Sequence, residues 1–143
     1  MKRSWLRLSP AVALVLVLSA SAAPYLAYFP LWPGSLDSAV WVTSSAPTNP
    51  EWLRFVFNTS HGGRCYRPLV GLSYAFDSWV GGFSPVPYRV TSTALHLVCG
   101  LLVYFLFRRL APGLSRWGGV AAATVFLVHP LSQVVVSELS RRA

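Results

Sequence analysis

The chain has 143 residues, of which 54% are hydrophobic and only 11% charged, with a formal net charge of +8. Soluble domains carry about a quarter charged residues, so composition argues against an ordinary soluble domain even though the length would suit one. The basic excess does not mark a nucleic-acid binder either, because the arginines gather at the ends of apolar blocks, where cytoplasmic membrane flanks carry them.

In chain order, Met1-Lys2-Arg3-Ser4-Trp5-Leu6-Arg7 is a basic N-terminus. Residues 8–29 come next without a charge, about the length that crosses a bilayer core. Two readings of this block stay open. The run Ala11 to Leu18 and the pattern Ala20-Ser21-Ala22 fit a cleaved signal peptide. Apolarity that continues through Tyr25, Tyr28, Phe29 and Trp32 fits an uncleaved span with an aromatic belt. Both readings place the next segment of the chain outside the cytoplasm.

Residues 30–87 form a long outer loop, and loops of that size are seldom mere connection. It holds three of the chain's four acids, Asp37, Glu51 and Asp77. Asp37 comes after the Pro33-Gly34 break, just past the outer interface. It reads either as a solvated turn acid or as an acid held where it can act on a lipid head group. Asn49-Pro50-Glu51 opens a short helix: Asn caps, Pro suits the first helical position and Glu favours the positive end. Pro68 starts a further helix and Gly81-Gly82 stops it. Leu69, Leu72, Phe76 and Trp79 recur at spacings of three and four, while Ser73 and Asp77 lie on another face. This predicts an interfacial amphipathic helix with Asp77 as a surface acid. Arg64 and Arg67 stand at its positive end beside a Gly-rich turn. They read as a phosphate seat, or as ordinary partners of lipid phosphate or Asp77.

Residues 88–107 are the second predicted span, with Arg89 snorkelling to the outer interface. Ser92, His96, Cys99 and Gly100 share a helical face. A histidine in an apolar span implies a polar cavity or a hydrogen bond between helices. Cys65 and Cys99 set up no disulfide framework. Residues 108–116 are a short basic loop, placed on the cytoplasmic side with the N-terminus. Residues 117–131 are the third predicted span, in which Gly118 with Ala122 and Gly119 with Ala123 give the small-residue spacing of close helix packing. Residues 132–143 are expected to form an outer helical tail. The expected fold is thus an all-α membrane protein, one partial membrane domain, with about three transmembrane helices and a large extracytoplasmic loop carrying short interfacial helices.

The order of several short motifs resembles the N-terminal part of the GT-C glycosyltransferases, especially the protein O-mannosyltransferase-like and tetratricopeptide-linked membrane branch. The motifs are Leu36-Asp37-Ser38 with Val42-Thr43 downstream, Tyr66-Arg67-Pro68-Leu69 with Leu72-Ser73, Leu95-His96, His129-Pro130-Leu131, and Ser137-Glu138-Leu139-Ser140-Arg141-Arg142-Ala143. The similarity runs over nearly the whole chain. Many relatives carry a second acid beside the first, and here Ser38 takes that place. The family pattern also continues past Ala143, so the resemblance implies the N-terminal part of a longer protein.

The resemblance further implies a polyprenyl-phosphate sugar donor, with mannose a common sugar, and transfer to a protein or lipid acceptor on the extracytoplasmic face. Asp37 would then be the catalytic base, Arg64 and Arg67 would bind the donor phosphate, and His96 and His129 are candidate pocket residues. The partners expected are membrane lipids, the donor and the acceptor, with no nucleic acid. No cofactor and no metal-ligand set is identified in the sequence, and use of a divalent metal stays open. The alternative is a non-enzymatic membrane scaffold or accessory subunit, or an inactive truncated product.

Overall fold

The computed structural model describes residues 9–27, 36–57, 66–113, 115–131 and 136, of which 36 and 37 by backbone alone. Secondary structure among the described residues is entirely helical: α1 (Pro10–Leu26), α2 (Leu36–Ser45), α3 (Trp52–Phe57), α4 (Pro68–Gly81), α5 (Pro85–Leu110) and α6 (Arg116–Val128).

One of these, α5, is long and apolar enough to cross a membrane. Its 26 residues extend about 39 Å at 1.5 Å per residue. It starts three residues earlier than the sequence predicts, because Ser84 caps it, its Oγ accepting from the Val86 amide at 3.5 Å, and Pro85 suits the first turn. It ends on Arg108 and Arg109, whose charges complement the negative helix end. The helices α1 and α6 are apolar but shorter, at 17 and 13 residues. Ser9 and Ser115 cap them in the same way, accepting from the amides of Val12 and Trp117. Pro130 disfavours helical geometry at the residue before it, and α6 accordingly stops at His129, with φ −60° and ψ 132°.

Helices α1, α5 and α6 pack on one another, α5 and α6 as a hairpin. The helices approach one another closely. Small residues supply the approach. A Cβ on Gly100 would lie 2.6 Å from Leu127 Cδ2, and one on Gly119 would lie 2.9 Å from Tyr104 Cδ2. Leu14 of α1 fills the space beside Val120 and Ala123 of α6, flanked by Leu101 and Tyr104.

Helices α2, α3 and α4 form a second group, held over the start of α5. Its core is aromatic. Trp41 stacks on Tyr74 with centroids 5.7 Å apart, meets Phe55 edge-on at 5.3 Å, and Tyr74 continues to Tyr88 of α5 at 6.0 Å. A short helix does follow Asn49-Pro50-Glu51, but it begins at Trp52 rather than at Pro50, with Asn49 Oδ1 accepting from the Glu51 amide at 3.0 Å. The predicted bounds of α4 also hold, with Gly82 at φ +59° ending it. The α4 stripe Leu69, Leu72, Phe76 and Trp79 faces outward, Leu69 being 81% and Trp79 77% exposed.

Candidate functional site

Asp37 lies in the first turn of α2, a helix not expected from the sequence. Its side chain is outside the described residues. The next residue, Ser38, is fully buried, and Trp41, Val42 and Ser45 continue the same face. That face is the one packed on the aromatic core, so the turn bearing Asp37 is seated against protein rather than projecting as a free loop.

Two expectations about charged residues are overturned. Asp77 was expected on a helix surface, yet it is 1% exposed. Thr91 of α5 donates its hydroxyl hydrogen to Asp77 Oδ1 at 2.6 Å. The physical reason is that the apolar stripe of α4 turns away from the protein core, which leaves the polar face inside. Arg89 was expected to snorkel outward, yet it is 5% exposed. It lies among the buried residues of α5, near Tyr88 and Ser92 in the sequence. Sequence reasoning missed both, and Thr91 with them. A usable signal was the connection of only three residues between α4 and α5. Such a short link favours an antiparallel pair, which brings residues within two turns of the link on either side, such as Asp77 and Thr91, into reach of each other.

Arg67 is exposed, at the N-terminal boundary of α4. Pro68 keeps it off helical geometry, with φ −135° and ψ 67°. Asp77 lies about 15 Å further along the helix axis, engaged with α5, so an Arg67–Asp77 pair does not form. Arg64 lies outside the described residues.

His96 is buried where α1, α5 and α6 meet. Its Nε2 is 3.4 Å from the Leu127 carbonyl oxygen, and its ring meets Tyr25 edge-on at 6.2 Å and Phe126 at 5.4 Å. His129 is exposed at the end of α6, where its Nδ1 accepts from the Leu131 amide at 3.2 Å. The two histidines therefore stand at the same end of α6, one inside and one outside. Ser92 shares the buried face of His96, whereas Cys99 is exposed. Among the described residues no three of His, Cys, Asp and Glu gather as a metal-ligand set.

Over 84 residues, 59% of the chain, the sequence is 39% identical to Protein O-mannosyl-transferase Tmtc1 of Drosophila melanogaster. Over 85 residues it is 34% identical to Protein O-mannosyl-transferase Tmtc2 of the same organism. The matched stretch spans 9% of the length of each relative. The similarity supports a protein O-mannosyltransferase-like relation for this part of the chain. No protein-family model matches the chain. No solved structure matches it.

Proposed function

We propose that the chain is the membrane-embedded N-terminal part of a GT-C type glycosyltransferase, which moves a sugar from a polyprenyl phosphate to a protein or lipid acceptor. The observation that carries the reading is the similarity to two protein O-mannosyl-transferases, combined with a candidate acid, Asp37, in a turn seated on a packed aromatic core. Mannose is the sugar that those relatives' names favour, and a protein the acceptor.

In this reading α1, α5 and α6 mark three crossings of one partial membrane domain. Residues 30–87 lie outside the cytoplasm and residues 108–116 inside with the N-terminus. Arg108, Arg109 and Arg116 at one end of the α5–α6 hairpin support that orientation. The outward apolar face of α4 lies in the membrane interface. Contacts of α1 with α5 and α6, through Leu14 and Tyr25, favour a retained span over a removed leader.

The donor's tail sits in the bilayer and its phosphate at the surface. The acceptor hydroxyl oxygen attacks the anomeric carbon from the face opposite the phosphate. The carbon–oxygen bond to the phosphate breaks, and the phosphate leaves with the electron pair. Asp37 takes the hydroxyl proton as general base. Arg64 and Arg67 offset the charge that develops on the leaving phosphate. His96 and His129 border the site at the end of α6.

Asp37→Asn keeps the size and polarity of the side chain and removes the base. In the full-length protein it lowers sugar transfer by about 10²–10⁴-fold, the usual worth of a general base, with expression and membrane insertion intact. Radiolabelled sugar transfer from a polyprenyl-phosphate-mannose donor measures it. Unchanged turnover removes Asp37 from the mechanism and leaves the scaffold alternative.

A further inference from the structure

We infer that Thr91, Asp77, Tyr74 and Trp41 form a positioning device for the first turn of α2, and through it for Asp37. The inference rests on the reading of Asp37 as the base.

The starting point is a carboxylate buried where it is expensive. An acid removed from water must be engaged by the protein, and α4 would pack with an apolar residue at less cost. What Asp77 adds is a directional tie. Its bond from Thr91 at 2.6 Å fixes the height and rotation of α4 against the long helix α5. Three residues earlier, nearly one turn along the same buried face, stands Tyr74. Its ring lies between Trp41 of α2, at 5.7 Å and 28° between planes, and Tyr88 of α5, at 6.0 Å. Tyr88 is itself pinned, because its hydroxyl donates to the Gly82 carbonyl at 3.1 Å.

Trp41 closes the chain of contacts. It lies one helical turn after Asp37, and residues four apart are neighbours on a helix surface. Ser38 and Trp41 are both buried. The rings are stiff, with two side-chain torsions each, so little freedom enters between α5 and the start of α2. The long helix is the fixed element, α4 is tied to it by a buried hydrogen bond, and α2 is tied to α4 by stacked rings. A base must sit within hydrogen-bond reach of the proton it takes, and a misplacement of about 1 Å costs roughly a hundredfold in rate.

The test uses the full-length protein in lipid nanodiscs, with a polyprenyl-phosphate-mannose donor and a serine- and threonine-bearing acceptor polypeptide. Thr91→Val keeps the shape and removes the donated hydrogen. Its kcat falls about ten- to hundredfold, the donor KM stays near that of the natural protein, and the thermal midpoint falls by a few degrees because Asp77 loses a buried partner. Thr91→Ser restores the hydroxyl and most of the rate. Trp41→Phe keeps a ring on Tyr74 with less overlap and shows a smaller fall in kcat, again without a change in KM. A folded Thr91→Val with the natural kcat, or a loss seen only in KM, overturns the inference. If Thr91→Val does not fold, Trp41→Phe decides, and a natural kcat there overturns it. Full turnover by Asp37→Asn removes the parent reading and this inference together. Inactive Asp37→Asn beside natural kcat in both Thr91→Val and Trp41→Phe overturns this inference alone.

Discussion

The two halves of the molecule share close approach at glycines, Gly71 against Val56 in one and Gly100 and Gly119 in the other, but differ in what else fills the space. In the α1–α5–α6 bundle, Gly100 and Gly119 stand where any side chain would collide with Leu127 or Tyr104. Attraction there comes from close backbone approach. In the α2–α4 group, large rings fill the space, and a buried carboxylate fixes one helix to the next. On the membrane reading proposed above, the difference follows from surroundings: apolar side chains in lipid gain nothing by meeting each other, so small residues and occasional polar contacts decide the packing of the bundle. In the α2–α4 group, burial of large aromatic area away from water stabilises the packing directly.

The largest expected effect breaks the aromatic half. Tyr74→Ala removes the ring shared by Trp41 and Tyr88, and costs about 3–5 kcal/mol, as large-to-small core changes do. Hydrogen exchange read peptide by peptide shows α2, α3 and α4 opening, while α5 and α6 keep their protection. Loss of protection in all helices at once would show a single cooperative unit and erase the distinction between the halves. The next effect breaks the other half. Gly100→Val sets new atoms against Leu127, where a Cβ alone would already lie 2.6 Å from Cδ2. Overpacking of that kind costs about 1–3 kcal/mol. The α5–α6 hairpin loosens, and the thermal midpoint in nanodiscs falls, with α2–α4 protected as before. A midpoint unchanged in Gly100→Val would mean that close approach at this position does not hold the hairpin.

The same contrast explains which features were readable in the sequence. Punctuation was legible: Asn49-Pro50 before α3, Pro68 and Gly82 around α4, and the apolar length of α5 all act through local backbone chemistry. The small residues of α6 were legible because their spacing is itself the packing rule. Helix α2 was not. Its stretch Ser38-Ala39-Val40-Trp41-Val42-Thr43-Ser44-Ser45 is poor in strong helix formers, and burial of Trp41 and Val42 against other helices overrides that preference. Asp77, on the polar face of an interfacial helix, and Arg89, as a snorkelling side chain, both read as surface residues, and their burial against other helices is not visible in either pattern. An apolar stripe predicts the buried face of a helix in a soluble protein, whereas on α4 it is the outer face. Of the candidate site, the sequence pointed to Asp37 and Arg67 as residues but not to the ties that seat α2, because those ties join positions far apart in the chain.

The smallest expected effect sharpens the account of the bundle. Among the described residues, Thr93 Oγ1 and the Tyr25 hydroxyl are buried without a hydrogen-bond partner. Both lie on buried faces of their helices, and His96, which Tyr25 meets edge-on, comes three residues after Thr93 along α5. A buried hydroxyl left unsatisfied costs about 1–3 kcal/mol, and replacing it by an apolar group of the same shape is nearly neutral or stabilising. Thr93→Val is such a replacement. If close approach holds the bundle and these hydroxyls do not, the thermal midpoint of Thr93→Val in nanodiscs stays level or rises by a few degrees, and Tyr25→Phe behaves alike. The α5–α6 hairpin then keeps its hydrogen-exchange protection in both variants. A clear fall in the midpoint of Thr93→Val would instead show that its hydroxyl takes part in a stabilising polar contact, and the bundle would then depend on polar ties as the aromatic half does.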